Sequence, residues 1–400
     1  MLYPSQQKIV DMAKPNWMYA LGTSSGKSLI ALAHWKQYAN GEPILIVQPP
    51  SKLKSGEWAE EVERFADYHN IDIEYEQLSI GMLAKKYQEY HGYFLILDEA
   101  HLCKNPTSKR GKAAIALSRQ STHFVLLTAT PGATYEDFMA YMIMFGYYKN
   151  KTQYLREHAV YGDLHLGKRT VKVIQDWRNT QTLDKRFDSF AIKLPTEYFV
   201  DLPKSSEKFI HFKKSSIYNK AKKERVIEVD GEEVILDTPM KLMQSLRYLT
   251  NQKDKLAYIK EFLENTEENT VIFYNFKRER DDLVDIADQL DKTIYEVNGS
   301  NFSLPPMDER LNNNTVSICQ YQSSSEAINL SHASQVIYMT PTYSYLNYKQ
   351  SLGRCIRHKG KPHVAIYKFI TKGTVEADVW RALDSKKDFD EKLYMEEVLV

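Results

Sequence analysis

The sequence predicts an α/β protein of two domains, each a parallel sheet flanked by helices. Three observations predict it. Short apolar runs recur along the chain, longer amphipathic stretches separate them, and 400 residues are too many for one ordinary core. In the first half the apolar runs are PILIV from Pro43, YFLIL from Tyr93 and HFVLL from His123. In the second half they are TVIFY from Thr270, TVSIC from Thr315, QVIYM from Gln335 and HVAIYKFI from His363. Runs of this length read as strands buried on both faces. Between them, GKSLIALAHWKQYA, EWAEEVERFADY, KLAYIKEFLEN and RERDDLVDIADQL carry helical periodicity.

From about Phe138 to Glu268 the chain is rich in helix formers, charge and tyrosine, with fewer parallel-strand candidates. VIEVDGEEVIL, from Val226, alternates around Asp230-Gly231 and predicts a hairpin. LPTEYFVDLPKS, from Leu194, carries two prolines and reads as an extended connector. The domain boundary falls there, giving residues 1–194 and 195–400, with a helical and hairpin insertion near 213–250.

Composition narrows the function. A net charge of +1 does not indicate a generic basic nucleic-acid coat, although a local basic groove fits inside a neutral total. Three scattered cysteines, Cys103, Cys319 and Cys355, point to a reducing compartment without disulfides or a zinc site. No basic-then-apolar leader and no membrane-length apolar stretch is present, so the expected location is cytoplasmic.

Polar residues follow the apolar runs at the ends where open α/β sheets bind ligands. Gly22-Thr23-Ser24-Ser25-Gly26-Lys27-Ser28 precedes a helix-forming run. It offers backbone N–H groups, a glycine for close approach, a lysine for outer phosphates and a hydroxyl for a metal. Leu21 stands where the strict phosphate-loop pattern has its first glycine, so a Ser/Gly helix cap with a solvated lysine is the alternative. YFLIL, about 70 residues after Lys27, ends in Asp98-Glu99. One carboxylate suits magnesium and the other a water, against a solvated helix cap. The joint occurrence of both motifs favours a nucleotide site. Arg354 and Arg357, three apart in QSLGRCIRHKG, are expected on one helical face, either as surface charges or as groups that stabilise a transferring phosphoryl.

Taken in order, these segments resemble the superfamily 2 helicase-type ATPases, most closely the Swi/Snf-like branch in the compact DEAH form often met in bacteriophage genomes. The resemblance covers nearly the whole chain: LYPSQQ, GTSSGKS, ILIVQPPSKLKSGEWAEEVERF, LDEAH, LTATPG, FAIKLPTEYFVDLPK, LMQSLRYLTN, VIFYNFKRERDDL, SSSEAINLSHASQVIYM and QSLGRCIRHKG. It implies two tandem RecA-like lobes with ATP in the cleft between them, and DNA-stimulated ATP hydrolysis driving a helicase or translocase in phage replication, recombination or repair. Gln6 would read adenine. Residues 22–28 would hold the nucleotide, with Ser28 and Asp98 on magnesium. Glu99 would act on the water, and Lys27, Arg354 and Arg357 on the phosphates. His101, Thr128, Thr130 and Gln350 would relay between the ATP and DNA faces. Ser51, Lys52, Lys54 and Asn329 would touch DNA. The implied partners are DNA and replication or recombination proteins, with the chain a monomer. Serine at Ser24, Ser324 and Ser325, and Ala327, depart from the glycines usual in the family. The alternatives are an RNA helicase, or an ATP-switched nucleic-acid-binding or loading factor that does not unwind.

Overall fold

The computed structural model describes residues 2–23, 25–132, 134–166, 169–229, 232–250, 252–305, 313–321, 328–357, 360–385 and 389. The chain divides into two compact units, Met1–Asp201 and Leu202–Val400. Each is built on a six-stranded, wholly parallel sheet flanked by helices, the architecture of a RecA-like lobe.

In the first unit the strands are β1 (Trp17–Leu21), β2 (Ile44–Gln48), β3 (Tyr75–Ser79), β4 (Phe94–Leu97) and β5 (Phe124–Thr128). A two-stranded antiparallel hairpin follows, β6 (Ala159–Leu166) with β7 (Arg169–Trp177), and then β8 (Ala191–Leu194). The sheet order is β3-β2-β4-β5-β1-β8. β1, β2, β4 and β5 are buried along their whole length because helices cover both faces, which explains their unbroken apolar sequences. β3 lies at an edge and reads Tyr-Glu-Gln-Leu-Ser, with only Leu78 buried. The helix Glu57–His69 shows how sequence becomes packing. Trp58, Val62 and Phe65, at i, i+4 and i+7, are buried, and Gly56 and Asn70 bound it with left-handed backbone.

In the second unit the strands are β9 (Lys204–Phe212), the hairpin β10 (Val226–Val229) with β11 (Glu232–Ile235), β12 (Thr270–Tyr274), β13 (Thr293–Val297), β14 (Thr315–Gln320), β15 (Gln335–Tyr338) and β16 (His363–Thr371). The sheet order is β13-β14-β12-β15-β16-β9. Asp230-Gly231, the expected turn, lies outside the described residues, but the two strands it joins pair antiparallel. The core of this unit also holds charge. Lys255, wholly buried, donates to Thr250 Oγ1 at 3.1 Å, to the Met339 carbonyl at 3.2 Å and to Glu376 Oε1. Burial pushes the Glu376 carboxyl up, and Lys255 only partly offsets it.

No helix among the described residues is long and apolar enough to cross a membrane.

Candidate functional site

Because the first sheet is parallel, the loops after β1, β2, β4, β5 and β8 leave from one edge. The loop after β1 enters the helix Lys27–Tyr38 through Gly26, whose φ of 74° suits glycine. Gly22 is required for another reason. A Cβ there would sit 2.2 Å from Thr196 Oγ1 and 2.4 Å from Thr196 N, while Gly22 N donates to the Leu194 carbonyl at 2.9 Å. Thr23 Oγ1 lies 3.5 Å from Thr196 Oγ1. Ser25 is buried and its hydroxyl donates to the Gly22 carbonyl.

Lys27 Nζ donates to the carbonyls of Leu21 and Gly22, each at 3.0 Å, so its ammonium sits within the turn of the loop. Ser28, half-buried, follows it in the first helical turn. Gln6 is buried and bridges two elements. Its Oε1 accepts from Tyr3 N and caps the first helix, and its Nε2 donates to the Ser25 carbonyl at 2.8 Å. In this structure Gln6 therefore positions the loop. Ser24 lies outside the described residues.

The carboxylates follow β4. Asp98 is 1% exposed and accepts three hydrogen bonds. Lys52 Nζ (2.7 Å) and Trp58 Nε1 (3.0 Å) reach Oδ2, and Glu99 N (2.8 Å) reaches Oδ1. Glu99 has φ 49°, a left-handed conformation that costs a non-glycine residue about 1–2 kcal/mol. Such strain persists where the surroundings over-determine it. Glu99 Oε1 lies 3.9 Å from Lys52 Nζ, and Oε2 lies 3.3 Å from His101 Nδ1. Burial pushes the Glu99 carboxyl up. The His101 ring beside it and the Lys52 and Lys27 charges outweigh that and hold it well below the usual carboxylate range.

His101 Nδ1 also lies 3.1 Å from Thr128 Oγ1, which accepts from Thr130 N at 3.1 Å. Glu99, His101, Thr128 and Thr130 thus form one chain of contacts from β4 to the end of β5. Two buried hydroxyls on these loops, Ser51 Oγ and Thr130 Oγ1, have no hydrogen-bond partner among the described residues.

Among the described residues, the structure gathers Gly22, Thr23, Ser25, Gly26, Lys27, Ser28, Asp98, Glu99, His101, Thr128 and Thr130 where β1, β4 and β5 end. Lys52, expected at DNA, is turned inward onto Asp98, whereas Lys54 of the same helix, Pro50–Ser55, is exposed. Sequence reasoning missed the hydrogen bond of Trp58 to Asp98 and the packing of Thr196 on Gly22. The available signal was strand order. β2 pairs with β4, Val47 opposite Leu97, so the residues following Gln48 emerge beside Asp98.

In the second unit, Arg354 is 8% exposed in the last turn of the helix Tyr345–Cys355, and Gln350 is buried one turn earlier. The expectation of two arginines on one helical face is corrected. The helix stops at Cys355, Ile356 is extended, and Arg357 lies beyond it. Leu330 N donates to the Arg354 carbonyl, and Lys361 N donates to the Ser331 carbonyl, so the chain is drawn off the helix along residues 330–331. Asn329 Oδ1 accepts from Ser331 N in a local turn. Ser324, Ser325 and Ala327 lie outside the described residues.

No protein-family model matches the chain, and no curated protein matches it. Among solved structures, it is similar to the C-terminal part of the Fun30 ATPase domain, at 15% identity and a TM-score of 0.39, covering 50% of this chain and 97% of that one.

Proposed function

We propose that the chain hydrolyses ATP with magnesium and uses the cycle to move along nucleic acid, DNA rather than RNA. The observation that carries this reading is a juxtaposition. The Gly22–Lys27 loop and the Asp98-Glu99 pair stand at the same edge of a parallel sheet, with only β5 between their strands, and the Lys27 charge acts on Glu99. The DNA preference comes from the Swi/Snf-like resemblance of the ordered motifs.

The donor set fits magnesium. A hydroxyl at Ser28 and a carboxylate at Asp98 are hard oxygens, and the second carboxylate oxygen of Asp98 already holds a cation, Lys52. Among the described residues no group of three or more His, Cys, Asp or Glu could hold a metal. Magnesium needs none, since it is bound through one or two protein oxygens with the substrate's phosphates. Bound there, it would neutralise phosphate charge. Lys27 would leave its two carbonyls for the outer phosphates, and the loop's N–H groups would face the rest. Glu99, ionised and beside His101, would orient the attacking water or take its proton. The contact chain through Thr128 to Thr130 would carry the state of Glu99 to the loop after β5. Arg354 and Arg357 would stabilise charge on the transferring phosphoryl; alanine at Arg354 would then lower turnover roughly 10³-fold.

The test is ATP hydrolysis with magnesium, alone and with duplex DNA, single-stranded DNA or RNA, against Glu99→Gln. Stimulation by DNA that is lost in the variant is the expected result. Hydrolysis that no polymer stimulates would overturn the motor and leave a nucleotide-switched binding factor.

A further inference from the structure

The first unit carries a second polar feature that the nucleotide chemistry does not use. A cavity of about 720 Å³ runs between the helices Lys109–Gln120 and Lys151–His158. One wall presents Lys112 and Arg119, which share a helical face with Ile115 at i, i+3 and i+7. The other presents Lys149, Lys151 and Arg156. No aspartate or glutamate lines the cavity. None of the five cations is ion-paired with a carboxylate among the described residues. Four of the five are exposed, and Lys151 is half-buried. Arg119 also donates to the Lys149 carbonyl at 3.2 Å, which ties the two walls together.

The floor is different in kind. Ile115, Ile143 and Leu155 line it, and Tyr161, 50% exposed at the start of β6, stands at its lip. Five cations around one cavity, none ion-paired with a carboxylate among the described residues, make its rim electropositive and suited to an anionic occupant. An isolated phosphate would satisfy the rims and leave the apolar floor and the aromatic lip unused. A single strand of nucleic acid uses both, since its phosphates suit cationic rims and its unpaired bases stack on apolar and aromatic surface. A duplex keeps its bases inside. We propose that this groove binds a single strand of nucleic acid, with phosphates on Lys112, Arg119, Lys149, Lys151 and Arg156 and a base stacked on Tyr161. The proposal deepens the nucleic-acid reading given above and is independent of the ATP site.

The test uses the full chain without nucleotide and a fluorescent single-stranded oligothymidylate, with anisotropy followed across a salt series. Each phosphate contact contributes about 0.7 to the log–log salt slope of a single strand, so Lys149→Ala with Arg156→Ala is expected to lower the slope by about 1.4 and weaken binding. Lys149→Arg with Arg156→Lys should restore the slope. Tyr161→Ala should weaken binding roughly fivefold or more, and Tyr161→Phe should not. Circular dichroism and basal ATP hydrolysis, both expected to be unchanged, report that the variants are folded. A double-alanine variant with the wild-type slope and affinity overturns the groove. So does a duplex of equal length that binds as tightly as the single strand and is equally weakened by the variants. If the wild-type chain binds no oligonucleotide at low salt, the groove and the motor both fall. If it binds and only the groove variants are silent, the motor reading stands and the groove alone falls.

Discussion

Both units bury a lysine–carboxylate pair, and the two pairs are mounted differently. In the second unit, Lys255 is wholly buried on the helix Gln252–Glu264, which also buries Ile259 and Leu263. Its three donors go to Thr250, Met339 and Glu376, which is all an ammonium has to give. In the first unit, Lys52 keeps 14% of its side chain exposed and stands on Pro50–Ser55, a six-residue helix that buries none of its residues. A segment with few buried apolar contacts opens locally at low cost. The mounting makes the pair a fixed internal tie in one sheet and suits it to be an exchangeable counter-ion beside the proposed ATP site in the other.

The sharpest way to break this comparison is to alter one carboxylate of the exchangeable site. Glu99→Gln should lower magnesium-dependent ATP turnover about 10²–10⁴-fold, the usual worth of a positioned proton acceptor, with the thermal midpoint little changed. Steady-state turnover together with melting of the same preparation checks it, and normal turnover would remove Glu99 from the mechanism. Next in size is the fixed tie. Lys255→Met should cost about 3–5 kcal/mol of stability by leaving Glu376 buried without its cation, measured by denaturant unfolding. Gly22→Ala should cost about 1–3 kcal/mol, because its Cβ meets the backbone of Thr196, and nucleotide affinity should fall with it.

Lys52→Ala then discriminates directly. An exchangeable counter-ion predicts a smaller stability loss than that of Lys255→Met, because Lys52 is partly exposed and Asp98 keeps its Trp58 and Glu99 N–H donors, and a lower magnesium requirement for turnover. A loss as large as that of Lys255→Met would make the two pairs equivalent and end the comparison. The smallest effect expected is in pH dependence. The folded-state pKa of Glu376 is raised above its ordinary 4.5, so the folded state holds the proton more tightly than the unfolded one. Stability should therefore fall as pH rises from about 4.5 through that raised value, and Glu376→Gln should flatten this part of the unfolding profile.

What was legible in the sequence mostly follows burial, although β1, buried along its whole length, was not among the expected runs. Runs such as ILIV, FLIL and FVLL are apolar throughout because helices cover both faces, and each lies in a central strand. The edge strands were not legible. β3 and β9 carry Glu, Gln, Ser and Lys because one side of an edge strand meets solvent. The β6–β7 hairpin lay hidden in a stretch that composition assigned mainly to helix formers, although Val171 and Val173 alternate with Thr170 and Lys172. Within the site, the loop and the carboxylates were legible because each motif is contiguous. The contacts of Lys52 and Trp58 with Asp98 span 46 and 40 residues of chain, and only the pairing of β2 with β4 creates them. The end of the arginine helix was set by Leu330, 24 residues upstream of Arg354, which no local periodicity reports.

The packing of Gly22 and Thr23 on Thr196 has a mechanical consequence. Thr196 lies five residues before Asp201, the last residue of the first unit, on the stretch of chain that leads into the second. A shift of that stretch would meet Gly22 with no side chain to take it up, and would move the Leu194 carbonyl that Gly22 N holds and the Thr196 hydroxyl beside Thr23. The length and stiffness of residues 195–201 would then set how far such a shift reaches the loop.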